Sequence, residues 1–204
     1  MRSLAVSRDA DGVVQVEMTR PLMDAPMIGE LADTFESLGD SPEAKAIVLS
    51  GQGAVFSTGV DLRRVMRANQ GRAEWSVADA RAFARMLWLI ESCPKPTIAR
   101  VHGVVAGGGI GLVCACQFVV ASDDASFAAI ETAFGDIPAV IRPYLVSTVG
   151  KQQAQRLASS STRVDAHQAR TIGLVQTVVP RSELDAAAKA LATFLGTVPM
   201  RQII

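Results

Sequence analysis

Side chains able to do chemistry are sparse in this chain, and two glycine-rich loops stand out instead. The 204 residues hold only two histidines, His102 and His167. No Gly-x-Ser-x-Gly elbow occurs, so a Ser-His-Asp triad is not expected. No Gly-Lys-Ser/Thr phosphate loop occurs either. Gly107 to Gly111 spells Gly-Gly-Gly-x-Gly, but Leu112 stands where a dinucleotide fingerprint needs its third glycine. Cys114 and Cys116 would point about 200° apart on a helix. They read as small buried hydrophobes, and no metal site is expected. The loops Phe56 to Leu62 and Val105 to Ile110 each lead into a helix. A loop entering a helix presents free N–H groups and the positive end of the helix dipole. Two such ends, brought together, would form an oxyanion hole of main-chain donors. Tight turns made for close packing would call for the same glycines.

The elements that must hold these loops follow from the apolar pattern. Asp11-Gly12 between Leu4–Ser7 and Val13–Met18 predicts a hairpin. Ile28, Leu31, Phe35 and Leu38 fall at helical spacing within Met27 to Leu38, and Ala46 to Leu49 is a short buried strand. Asp61 suits the cap of the next helix. A long helix is expected over Val77 to Ser92, ended by Pro94 and Pro96, then a strand over Thr97 to Val101. Ile110 to Cys116 reads as a buried helix, Phe118 to Ala121 as a strand and Phe127 to Ala139 mostly as loop. Two short helices meet near Gly150-Lys151, and Asp165 caps a third that ends near Gly173. A last strand over Leu174 to Val179 precedes a helix over Ser182 to Leu195. Trp75, Phe83 and Trp88 are expected in the core or in a pocket wall. His102 and Gln117 are expected in structural roles. Strand and helix alternate without a linker, which predicts one α/β domain over residues 1–204.

Composition narrows the classes further. Twenty Lys plus Arg balance twenty Asp plus Glu, so nucleic acid and an anionic membrane surface are not expected partners. Near-zero net charge favours self-association. Three cysteines form no disulfide framework, and Met1 to Ser7 lacks the features of a signal peptide, so a cytoplasmic location is expected. The longest apolar run, Val101 to Ala121, contains His102, Gln117 and five glycines, and reads as a buried turn and helix rather than a membrane span.

Taken together, Phe56-Ser57-x-Gly59-x-Asp61-Leu62, Pro94-Lys95-Pro96 and Gly107-Gly108-Gly109 resemble the crotonase (enoyl-CoA hydratase/isomerase) superfamily. The likeness continues through Phe127, Glu131, Gly135, Ile137-Pro138, Gly150-Lys151 and Gly173-Leu174-Val175, and spans residues 4–195. Ile137 to Tyr144 further resembles the branch of methylglutaconyl- and isohexenylglutaconyl-CoA hydratases. The resemblance implies a spiral of ββα turns, with a core over 1–180 and the start of a C-terminal helical region over 181–204. Relatives continue beyond the counterpart of Leu195, so that region is expected to be truncated here.

The resemblance also implies chemistry. An acyl-CoA thioester would place its carbonyl oxygen on the N–H groups of Val60 and Gly108, flanked by Gly59, Asp61 and Gly107. Coenzyme A would arrive within the substrate, with no separate cofactor. Glu131 would be the acid/base, and Arg142 and Tyr144 would lie toward the acyl end. Asp136 is a weaker candidate for the acyl pocket. Typical hydratases of the family carry a second glutamate, and its counterpart here is Gly111. The expected activity is hydration or dehydration of an α,β-unsaturated thioester. The alternatives are double-bond isomerisation or decarboxylation through Glu131 alone, or thioester binding without turnover. A homotrimer or hexamer is the expected assembly.

Overall fold

The computed structural model describes residues 2–60, 76–128, 139–159 and 163–198. Its first strands, β1 (Leu4–Arg8) and β2 (Val13–Met18), form the expected hairpin, with Leu4 opposite Met18. The Asp9 carboxylate sets the turn by accepting from the amides of Asp11 and Val13, each at 3.0 Å. β3 (Leu22–Met23) leads into α1 (Ala25–Asp40). That helix starts where the Asp24 carboxylate caps the Met27 amide at 3.1 Å, and it buries Met27, Ile28, Leu31, Ala32 and Phe35. β4 (Ala46–Gly51) and β5 (Gly59–Val60) follow. Ser76 and Asp79 then form a reciprocal capping box at the head of α2 (Val77–Glu91).

β6 (Thr97–Val101), β7 (Val104–Ala106), α3 (Gly108–Ala115), β8 (Phe118–Ser122) and β9 (Ser126–Ala128) carry the chain back and forth across the sheet. α4 (Arg142–Ser159) is broken at Gly150 (φ 76°, ψ 160°), where two short helices were expected to meet. β10 (Val164–Asp165), α5 (Ala166–Thr171), β11 (Thr177–Val179), a 3₁₀ turn (Arg181–Glu183) and α6 (Leu184–Leu195) complete the described chain.

Six strands form the main sheet in the order β1-β2-β4-β6-β8-β11, parallel except for β1. Strands covered on both faces should be apolar on both, and β4 is buried along its whole length. Ile47 and Leu49 point into a large core shared with α1 to α4, while Ala46 and Val48 point to the opposite face. There α6 lays down Leu184, Ala188, Ala192 and Leu195, one side chain per helical turn. A small sheet of β10, β9 and β7 and a two-stranded pairing of β3 with β5 stand beside the main sheet.

Four expectations need correction. The last strand begins at Thr177, because the amides of Leu174 and Val175 turn back to the Ala169 carbonyl at 2.9 and 3.3 Å. Together with Gly173 (φ 86°) they close the end of α5 as a Schellman motif. The α3 helix starts at Gly108, two residues before the expected Ile110. Phe127 and Ala128 belong to β9 rather than to loop, and residues 129–138 lie outside the described chain. Trp88 is 57% exposed, since Phe83, Leu87 and Ile90 take the buried face of α2 and the next residue after Leu87 points away.

Candidate active site

Ser57 shapes the first loop. Its hydroxyl accepts from the Gly59 amide and donates to the Pro21 carbonyl, both at 3.1 Å. Its backbone donates to the Val104 carbonyl and accepts from the Ala106 amide at 2.9 Å. Ser57 is fully buried, so every one of these groups needs its partner. The result is a short cross-brace from the loop to β7, the strand that delivers Gly107. The sequence signal for this role is a serine two residues before a glycine, the spacing of a side-chain-closed turn.

The second loop meets the first at backbone contact distance. Gly107 donates to the Ala128 carbonyl at 3.1 Å and stands at the head of α3, where no side chain caps the helix. A Cβ on Gly59 would lie 2.6 Å from the Gly108 nitrogen and 2.7 Å from the Ala106 oxygen. Gly59 also has φ +81°, so both space and conformation require glycine. A Cβ on Gly108 would lie 3.3 Å from the Val60 nitrogen, with Met23 Cε at 3.2 Å and Phe83 Cζ at 3.3 Å. Val60, Met23 and Phe83 are all buried. The structure thus brings Gly59 and Val60 of β5 against Gly107 and Gly108 at the start of α3, walled by apolar side chains, with the Gly59 and Gly107 amides bonded to Ser57 and Ala128. Donors fixed in such surroundings can hold an oxygen that gains negative charge.

One turn along α3 the environment changes. A Cβ at Gly111 would meet Leu87 Cδ1 at 3.2 Å and Ile141 Cγ1 at 3.3 Å. The position where typical relatives carry a glutamate is closed here by two apolar side chains. The contact of Leu87 and Ile141 with Gly111 could not be read from the sequence, because neighbours from distant segments leave no local mark.

The remaining candidates separate. Asp61, Trp75, Glu131 and Asp136 lie outside the described residues. Arg142 borders a cleft of about 330 Å³ between the halves of α4, floored by Leu145, Val146 and Ala154. Tyr144 faces a different cavity of about 480 Å³, between Ala84 and Glu91 of α2 and Val140 and Pro143. Neither space is lined by Val60 or Gly108. Burial pushes the Tyr144 hydroxyl up, and nearby Glu91 adds to this.

Gln117 is structural: its side-chain oxygen accepts from the Thr97 amide at 3.2 Å, and its own amide donates to the Thr97 hydroxyl at 3.0 Å. Cys116 is buried as expected and Cys114 only half-buried; burial drives the Cys114 thiol up to about 12 and Cys116 higher still, so neither is poised as a thiolate. Among the described residues, no cluster of His, Cys, Asp and Glu could hold a metal ion, and no helix is long and apolar enough to cross a membrane.

Comparison with known proteins decides the family. The profile of enoyl-CoA hydratase/isomerase matches residues 8–201. The chain belongs to the enoyl-CoA hydratase/isomerase family. An enoyl-CoA hydratase from Shewanella pealeana superposes with a TM-score of 0.86 at 31% identity, over 95% of this chain and 73% of that one. An enoyl-CoA hydratase from Mycobacterium smegmatis gives 0.87 at 30% identity, over 95% and 76%.

Among curated family members, the (7aS)-7a-methyl-1,5-dioxo-2,3,5,6,7,7a-hexahydro-1H-indene-carboxyl-CoA hydrolase of Rhodococcus jostii is 33% identical over 96% of this chain and 75% of its own length. The human mitochondrial Delta(3,5)-Delta(2,4)-dienoyl-CoA isomerase is 31% identical over 97% of this chain and 65% of its own length. The family thus holds hydratase, hydrolase and isomerase names at similar distance from this chain. The α/β spiral expected of the crotonase superfamily is the fold observed.

Proposed function

We propose that this protein acts on acyl-CoA thioesters by holding the thioester carbonyl oxygen on the N–H groups of Val60 and Gly108 while an enolate forms. The observation that carries this reading is the contact of the two glycine loops at Gly59 and Gly108, with Val60 beside them. Adding water across a double bond conjugated to the thioester, or removing it, puts negative charge on that oxygen. Each donor present at that moment is worth about 2.7–4 kcal/mol of barrier. Glu131 is the proposed general acid/base, and Gly59, Asp61 and Gly107 flank the thioester. The resemblance puts Arg142 and Tyr144 toward the acyl end, although they line two separate spaces that neither Val60 nor Gly108 borders.

The net reaction we propose is hydration or dehydration through one carboxylate, since Gly111 offers none and is backed by Leu87 and Ile141. The likeness to solved enoyl-CoA hydratases supports it. A second reading, double-bond isomerisation, is favoured by the same apolar closure. Moving a proton between two carbons needs one carboxylate and no held water. Coenzyme A enters as part of the substrate, and a homotrimer or hexamer is the proposed assembly.

The test is a panel of enoyl-CoA thioesters in deuterated water, read by mass spectrometry, with wild type and Glu131→Gln. Hydration adds the mass of a water, whereas isomerisation exchanges hydrogen without that gain. Turnover in Glu131→Gln should fall about 10²–10⁴-fold, the usual worth of a general acid/base. Undiminished turnover in that variant sinks the role of Glu131.

A further inference from the structure

His102 follows directly on β6 and is 1% exposed, yet it takes no part in the chemistry proposed above. Its Nδ1 lies 3.3 Å from an Arg100 guanidinium nitrogen, which can only donate. Nδ1 is therefore the acceptor, and Nε2 carries the proton and donates to the Gly53 carbonyl at 3.0 Å. The backbone carbonyl of His102 accepts from the Phe56 amide at 3.0 Å. The next residue, Gly103, passes so close that a Cβ there would sit 2.1 Å from the Ala54 oxygen. One residue thus grips the first loop at two points, Gly53 and Phe56, four residues short of Val60.

We infer that His102 is a positioning residue for the proposed reaction: its ring and its carbonyl fix the 53–56 segment and through it the direction of the Val60 N–H. This rests on the reading of Val60 as an oxyanion donor. Ser57 completes the path, since its own bonds to Pro21, Val104 and Gly59 leave the loop little freedom once Phe56 is fixed. Neutral imidazole is required for the Arg100 contact alone, since Nε2 donates to Gly53 in either protonation state. Arg100 approaches His102 from β6 and Arg181 from the 3₁₀ turn, with Asp124 after β8 as the facing carboxylate. Burial first, then the two arginines, hold the imidazole below its ordinary range. A proton on Nδ1 would confront the Arg100 guanidinium and release the pair.

The test compares His102→Leu, which loses the ring donor, with His102→Gln, whose amide can still donate to Gly53. His102→Leu should lower kcat about 10–100-fold with little change in KM, less than the loss of a whole donor. His102→Gln should recover most of it. Acetoacetyl-CoA serves as a turnover-independent probe, because its enolate absorbs in the near ultraviolet. Wild type should build that band, His102→Leu should build less of it, and amide exchange over residues 51–60 should rise in His102→Leu. Equal bands and equal exchange in wild type and His102→Leu overturn the positioning role. If wild type builds no band and turns over no thioester, the proposed function fails instead. The exchange data then decide alone whether His102 holds the loop.

Discussion

Gly108 and Gly111 both lie in the first half of α3, yet glycine serves opposite purposes at the two positions. At Gly108 the neighbours are the Gly59 backbone, Val60 N, Met23 and Phe83, and the absent side chain leaves main-chain donors uncovered. At Gly111, one turn later, the neighbours are the flexible ends of Leu87 and Ile141. There the missing side chain is filled by apolar packing. The contrast separates the proposed seat of a charged oxygen from apolar side-chain packing within 5 Å or so of helix rise. It also explains how a family member can lack the second glutamate without leaving a cavity. The space has been taken up by side chains from α2 and from the turn just before α4.

The sharpest way to break the charged end is Gly59→Ala. The new methyl would meet backbone at 2.6 and 2.7 Å, and φ +81° strains any L residue by about 1–3 kcal/mol. Neither Gly108 nor Ala106 can yield without moving α3 or β7. We expect kcat/KM to fall about 10²–10³-fold on the most active thioester, with a lower melting temperature. A variant with wild-type kinetics would show that the contact of the two loops is incidental to the reaction. Ser57→Ala is the next probe, and a gentler one. It leaves the Gly59 amide and the Pro21 carbonyl each short of a buried partner, though Pro21 keeps its bond from Thr58 at 2.8 Å. Unfolding in urea should show a loss of about 1–3 kcal/mol, and kcat should fall more than KM rises.

Much of this contrast was legible in the residues, and the illegible part has a common cause. The β1–β2 hairpin, the cap at Asp165, and the break at Gly150 depend on residues within a turn of one another. Local chemistry of that kind is written in sequence. The second glycine loop was legible as a helix start, and the family resemblance supplied its meeting with the first. The strands β3, β5 and β7 were not legible, because two or three residues with distant partners carry no period. Leu174 and Val175 look like strand residues and are buried like them, but their amides serve the end of α5 instead. Trp88 was misplaced for a related reason. Bulk and helical spacing suggested the core, whereas the buried stripe was already complete with Phe83, Leu87 and Ile90. Ser57 was visible only as part of a motif. Its bonds run to Pro21 and to β7, which no spacing rule would join.

A paired substitution, Gly111→Ala against Gly108→Ala, measures the smallest effect and isolates the contrast most directly. Both residues lie in α3, so both gain the same helix propensity, about 0.5–1 kcal/mol from lost backbone freedom. Both new methyls meet side-chain carbons at 3.2–3.3 Å, which those side chains can relieve by a few tenths of an ångström, and the Gly108 methyl adds one backbone contact, Val60 N at 3.3 Å. Stability, read by urea denaturation, should therefore change by less than about 1 kcal/mol in each, and by similar amounts. Activity should diverge. The Gly108 methyl stands 3.3 Å from the Val60 nitrogen, in the space an oxyanion would need. The Gly111 methyl only thickens a wall already made of Leu87 and Ile141. A clear loss of kcat in Gly108→Ala beside near-wild-type turnover in Gly111→Ala would place the charge-bearing atom at the start of the helix. Equal losses would mean that the reacting carbons reach as far as Gly111, and that the apolar wall is itself part of the surface that holds the acyl chain.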